Sequence, residues 1–155
     1  MPLKIFLLYL ICSTAGYATS FRQVTLANLI DNSDHIIVAK IIKIDTRNIE
    51  VINPYTRLKQ KKDQIRLHIK IIEIIQSTQS NNINDILVVG LSVYRNTSVE
   101  VMKELHLGST RIFFLKGHKF QYTFPAYFMK SIAEKENVMI YLNERMFSAC
   151  IILGC

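Results

Sequence analysis

Apolar residues crowd most densely between Ser33 and Asp45, where Ile36, Ile37, Val38, Ala39, Ile41, Ile42 and Ile44 are separated only by Lys40 and Lys43. Such a run puts apolar groups on both faces of a strand, so it predicts a strand that needs cover on two sides. Ahead of it, Thr25 is expected to cap a short helix with Leu26, Leu29 and Ile30 on its apolar side, ended by Asp31-Asn32-Ser33. Behind it, Ile49, Val51 and Ile52 extend the strand as far as Asn53-Pro54. Arg66–Ile75 alternates cleanly at first, with Leu67, Ile69 and Ile71 on one face and Arg66, His68 and Lys70 on the other. The phase then changes, because Ile72 and Ile74 take the polar parity. A bulge at Ile71-Ile72, or passage into a region covered on both sides, produces that change, and either one bends the sheet. Bent sheets of few strands tend to close into small barrels.

Further strands are predicted at Ile86–Leu91, with Gly90 at a kink or close approach, and in a hairpin of Arg111–Leu115 and Phe120–Phe124 about Lys116-Gly117-His118-Lys119. Val99–Leu107 fits a helical turn or a strand, and the polar stretch Gln76–Asp85 needs no fold of its own. Ala126–Glu136 has helical composition, while Val138–Leu142 and Phe147–Leu153 read as the last strands. No internal repeat or domain boundary interrupts residues 19–155, which are expected to form a single domain. The expected fold class is mainly β, a small barrel of five to six strands with one or two short helices.

The two ends of the chain and its charge change this picture. The first eighteen residues carry an export pattern: Lys4, the apolar run Ile5–Cys12, then Gly16-Tyr17-Ala18 with small residues where a signal peptidase reads. Cleavage after Ala18 is expected, with a retained segment or a lipid on Cys12 as alternatives. Even Leu3–Ala18 is shorter than the roughly 20 residues that span a bilayer. The protein is therefore expected to be exported, periplasmic or extracellular, with no transmembrane helix after cleavage. Cleavage removes one of 19 basic residues and no acid, leaving 18 against 12. A basic balance favours anionic partners, namely lipid head groups, acidic polysaccharides or an acidic protein face, although solubility alone also accounts for it. Two cysteines remain, Cys150 and Cys155. A disulfide between them needs a turn at Leu153-Gly154, since along a straight strand their α-carbons lie too far apart; the bonded and reduced states both stay open.

Little in the chain points to chemistry. His35, His68, His106 and His118 show no HxH or HxxxH spacing, so no metal or cofactor is expected. There is no glycine-rich phosphate loop and no nucleophile elbow, and Glu100 with Glu104 reads as a helix-face pair, so an enzyme is not expected. Two stretches remain as binding candidates. Phe120, Tyr122 and Phe124, with Lys116, His118 and Lys119 beside them, have the residue mix of a stacking platform and equally that of a core face, which is the expected state. Export argues against nucleic acid as the ligand. Arg57, Lys59, Lys61 and Lys62 put four cations into six residues, expected as the solvated tip of a hairpin and able to attract an anionic surface.

The order of these parts over about Ser33–Leu115, SDHIIVAKIIKID, then LHIKIIEII, ILVV and LHLGSTRIFFLK, resembles exported bacterial proteins with a fold like the inhibitor domain of tissue inhibitors of metalloproteinases. The resemblance implies an OB-type barrel. Gln76-Ser77 stands where those chains carry a lysine-glycine turn. The inhibitors themselves begin with a cysteine that chelates the protease zinc; here cleavage leaves Thr19-Ser20-Phe21, and no residue inherits that role. The function expected is that of a non-enzymatic binding or structural protein of the bacterial envelope, with a protein or an anionic surface as partner. Inhibition of a secreted hydrolase, or a small hydrolase whose site emerges only from the fold, are the alternatives.

Overall fold

The computed structural model describes residues 24–79, 83–93 and 97–153. Six strands make one antiparallel sheet: β1 (His35–Ile52), β2 (Lys59–Ser77), β3 (Ile86–Gly90), β4 (Thr110–Lys116), β5 (Gln121–Tyr122) and β6 (Met129–Ser131). The order across the sheet is β3-β2-β1-β4-β5, with β6 also paired to β4. Its outer strands β3 and β5 approach each other, so the mainly β chain curls into a half-barrel. The helices are α1 (Leu26–Asp31), α2 (Val99–His106), a 3-10 turn (Ile132–Glu134) and α3 (Lys135–Leu153).

The curl follows from three irregularities between β1 and β2. Pairing steps from Ile36↔Gln76 to Ile37↔Ile74, from Val38↔Glu73 to Ala39↔Ile71, and from Ile41↔Ile69 to Lys43↔His68. The residues left over are Ile75, Ile72 and Ile42, so one bulge falls where the parity of Arg66–Ile75 predicts it. Bulged residues lose their place in the inward alternation, and Ile42 and Ile72 are exposed. The shift at Ile42 also restores Ile44 to the inner face, three positions after Ile41.

β1 is covered on both sides, as its sequence requires. Ile37, Ala39, Ile41 and Ile44 join Leu67, Ile69, Val89, Phe113, Leu115 and Phe128 in the core inside the half-barrel, closed at one side by Met102 of α2. Ile36 and Val38 face outward with Ile112 and Phe114, and there Leu29 and Ile30 of α1 and Val138 of α3 cover them. The β1–β4 ladder, Ile36↔Phe114 to Lys40↔Thr110, is thus a wall between two apolar clusters. Thr25 does cap α1, its Oγ1 accepting from Asn28 N at 3.1 Å.

The end of the chain departs from expectation. Val138–Leu142 and Phe147–Leu153 are not strands but parts of α3, which runs unbroken through residues 143–146 between them. The register of α3 explains why. Val138, Tyr141, Leu142 and Arg145, spaced three and four apart, face the body: Val138 is fully buried, Tyr141 Oη donates to Asp31 Oδ2 at 3.0 Å, and Arg145 pairs with Asp31 at 3.3 Å. Lys135 ties the start of α3 to Glu73 of β2 at 2.6 Å. Ala126–Glu136, expected to be helical, instead supplies β6 and the 3-10 turn. Its backbone is held by β4, where Phe114 N donates to Phe128 O at 2.7 Å. Residues 1–18 and Cys155 lie outside the described residues, and with them the expected signal segment and the Cys150–Cys155 pair.

Candidate binding arm

β1 and β2 outrun the sheet that contains them. β4 borders β1 only over His35–Lys40, and β3 borders β2 only over Arg66–Lys70. From Arg47↔Gln64 to Ile52↔Lys59 the two strands pair only with each other, six rungs that carry the hairpin roughly 20 Å from the body at about 3.3 Å per residue. Among the described residues no strand covers either face of this arm. Its sequence fits that exposure, because Thr46–Ile52 and Lys59–Gln64 hold five cations and two carboxylates if Arg57 of the turn is included.

The turn is built by Asn53. Its side-chain Oδ1 accepts from the backbone N–H groups of Tyr55 and Thr56 at 2.9 and 3.2 Å, and its carbonyl accepts from Arg57 N at 2.9 Å. Asn53 N donates to Leu58 O, also at 2.9 Å, closing the hairpin. Pro54 occupies the position after Asn53, where its fixed φ favours a turn. Arg57 is left at φ +60°, the left-handed region that suits glycine. Every backbone bond of the turn therefore works to hold Tyr55 at the apex, 93% exposed, with Ile52 and Leu58 beside it at 62% and 66%.

Charge is graded along the arm. Arg57 lies in the turn, Lys59 on the last rung, and Lys61 and Lys62 on the rungs below. The two carboxylates of the arm sit lower or are engaged: Glu50 pairs with Lys59 at 2.7 Å, and Asp63 accepts from Asn48 Nδ2 at 3.1 Å. At the root stands a denser cluster. Asp45 accepts from Arg66 Nε, His68 Nε2 and Lys43 Nζ, each at 3.0 Å. The Lys43 ammonium first, with Arg66 and His68, holds the Asp45 carboxyl down at about 2. This cluster ties β1 to β2 across the body rungs just below the arm.

The expected cations are thus assembled, in a setting the sequence placed slightly wrong. Lys59, Lys61 and Lys62 belong to a strand, not to the loop tip, and only Arg57 is in the turn. The tip is Asn53–Leu58, and its apolar members Tyr55 and Leu58, with Ile52 on the last rung beside them, were not singled out as a surface. Their signal was available: apolar residues on both flanks of an Asn-Pro turn, in a hairpin with no core to join.

The aromatic hairpin is arranged differently from a platform. Phe120 and Tyr122 pack against the core inside the half-barrel and Phe124 against the outer cluster. Phe120 packs against His35 with the rings tilted by 46° and 4.6 Å between their centres, and Tyr122 lies 6.0 Å from Phe128. A two-residue strand and a φ of +49° at Phe120 break the alternation that a shared face requires. Between β3 and β5 lies an open cleft of about 370 Å³ lined by Gln64, Gly90, Lys119, Phe120, Gln121 and Tyr122. Gly90 keeps it open, since a Cβ there would meet the Gln64 amide at 2.7 Å.

His35, unremarked in the sequence as a functional residue, is a lock. The Gly117 carbonyl, which can only accept, lies 3.3 Å from Nε2, and Nδ1 lies 2.8 Å from Ser77 Oγ. Asp34 Oδ2 accepts from Gly117 N at 2.7 Å. Three elements meet there: the start of β1, the end of β2 and the β4–β5 turn. Burial lowers the pKa of the ring and keeps it neutral. Cys150 lies on α3. Among the described residues no three His, Cys, Asp or Glu side chains converge as a metal site, and no helix is long and apolar enough to cross a membrane. No family model, no curated protein and no solved structure matches the chain.

Proposed function

We propose that this chain is an exported, non-enzymatic binding protein whose half-barrel body carries the β1–β2 hairpin as its binding element, directed at an anionic partner. The observation behind this reading is the arm itself: six rungs with no neighbouring strand among the described residues, a turn held by four hydrogen bonds, and Arg57, Lys59, Lys61 and Lys62 around its outer end. A hairpin without cover contributes little to the stability of a domain, because an isolated two-stranded ribbon is marginal in water. Such a projection is accounted for by contact with something outside the chain.

Four cations on one projection attract an anionic surface by up to about 1 kcal/mol each, and salt weakens the attraction. Charge reversal at Lys59, Lys61 and Lys62 is expected to remove binding to acidic vesicles and to soluble polyanions while leaving the thermal midpoint of the body in place. The check is co-sedimentation with vesicles and retention on a heparin column, each over a salt series. Undiminished binding by the triple variant would retire the arm as the binding element.

A further inference from the structure

We infer that the arm is a membrane-docking finger, in which Ile52, Tyr55 and Leu58 enter the interfacial layer of an anionic bilayer while Arg57, Lys59, Lys61 and Lys62 engage the lipid phosphates. This inference rests on the proposed role of the arm and names its ligand. Three features of the outer end carry it.

The first is the vertical order of the residues. The apolar side chains occupy the turn and the last rung, and the lysines follow from the last rung downward. A bilayer presents the same order in reverse to an approaching protein: phosphates outside, acyl boundary within. Apolar groups that dock on such a surface reach roughly 5–10 Å below the head groups, which is the depth of one hairpin turn and not of a whole arm. The second feature is the absence of carboxylates where they would be repelled. From Asn53 to Leu58 there is no acid, and Glu50, two rungs below the tip and paired with Lys59, is a single acid against the four cations Arg57, Lys59, Lys61 and Lys62.

The third feature is that the tip is preorganised. Asn53 fixes the turn through its side chain and both backbone groups, so exposing Tyr55 costs no ordering on binding. Tyrosine, with an apolar ring and a polar hydroxyl, suits the head-group level. A protein partner fits this surface less well. Three apolar residues at the end of a narrow ribbon fall far short of the roughly 1,200 Å² that stable protein interfaces bury, and the flanks below them are polar. A bilayer needs no complementary pocket.

The chain contains no tryptophan, so Tyr55→Trp places a single fluorophore at the apex. The full chain carrying that change is titrated with vesicles of phosphatidylcholine alone and with vesicles containing phosphatidylglycerol, and with soluble polyphosphate. Docking predicts a blue-shifted emission, quenched by brominated acyl chains, with the anionic vesicles only. Leu58→Ser together with Ile52→Ser is expected to weaken vesicle affinity about tenfold or more and to leave polyphosphate affinity unchanged. Reversal of Lys59, Lys61 and Lys62 is expected to weaken both by about a hundredfold. Circular dichroism of each variant confirms that the body is folded. Binding to anionic vesicles without a blue shift, or binding to polyphosphate and not to vesicles, overturns insertion while the anionic reading of the arm survives. Binding to neither overturns both.

Discussion

The two halves of β1 show opposite solutions to the same backbone. Over His35–Ile41 every residue except Lys40 is buried, with one apolar cluster on each face; over Thr46–Ile52 none is. The inner half is held by its side chains, through a ladder to β2 on one edge and β4 on the other. The outer half is held only by its partner strand and by the Asn53 turn. The change occurs within a few residues, at the Ile42 bulge and the Asp45 cluster. Stability and interaction are thereby assigned to different ends of one strand, and changes at one end are expected to leave the other undisturbed.

The sharpest test of that division compares truncations. Phe113→Ala, in the core inside the half-barrel, is expected to cost about 3–5 kcal/mol, and Ile41→Ala about 2–5 kcal/mol. Ile42→Ala, one residue away on the bulge, is expected to cost under about 1 kcal/mol, and Tyr55→Ala at the tip under about 0.5 kcal/mol. Urea denaturation measures all four. Equal losses at Ile41 and Ile42 would mean that the register shift is misplaced.

Acid probes the junction. The Asp45 carboxyl sits at about 2 in the fold and near 4 when unfolded, so the unfolded chain binds its proton first. Its contribution is complete above about pH 4 and is lost as pH falls toward 2. His35 acts at milder pH: burial lowers its pKa below the ordinary value of 6.5, so protonation again favours the unfolded chain. Stability is therefore fully present above about pH 6.5 and declines as pH falls below it. Denaturation midpoints between pH 8 and 3 should show this fall, and His35→Gln should flatten its upper part.

Smaller effects follow. Gly90→Ala displaces the Gln64 amide, whose Nε2 donates to Leu91 O at 3.0 Å, and should cost about 1 kcal/mol for the lost hydrogen bond. Arg57→Gly relieves the left-handed strain of the turn and should stabilise the hairpin by about 0.5–1 kcal/mol, while weakening anionic binding through the missing charge. A loss of stability there would show that the turn does not hold Arg57 at positive φ.

How much of this was legible depends on where polar residues interrupt apolar ones. The inner half of β1 was readable, because seven apolar residues in nine must be covered on both faces. The Ile72 bulge was readable from the parity of its neighbours. The Ile42 bulge left only a short trace, since Lys40 and Lys43, both exposed, fall on opposite parities within a run that is otherwise apolar on both faces. The arm was half legible: Asn53-Pro54 marked the turn, yet Lys59–Gln64 has no apolar alternation, so the strand there declares itself only through its pairing with Thr46–Ile52. α3 misled for a related reason. Val138–Leu142 is β-branched and apolar, and its helical face is visible only once Asp31 and the outer cluster give Tyr141 and Arg145 something to meet.

The separation of body and arm is tested most directly by excision. Replacing Arg47–Gln64 with an Asn-Gly turn joins Thr46 to Ile65, which already face each other in the ladder. The thermal midpoint should move by no more than a few degrees, and sedimentation with phosphatidylglycerol vesicles should disappear. An unfolded product, or a folded one that still sediments as the full chain does, would contradict the division of labour along β1.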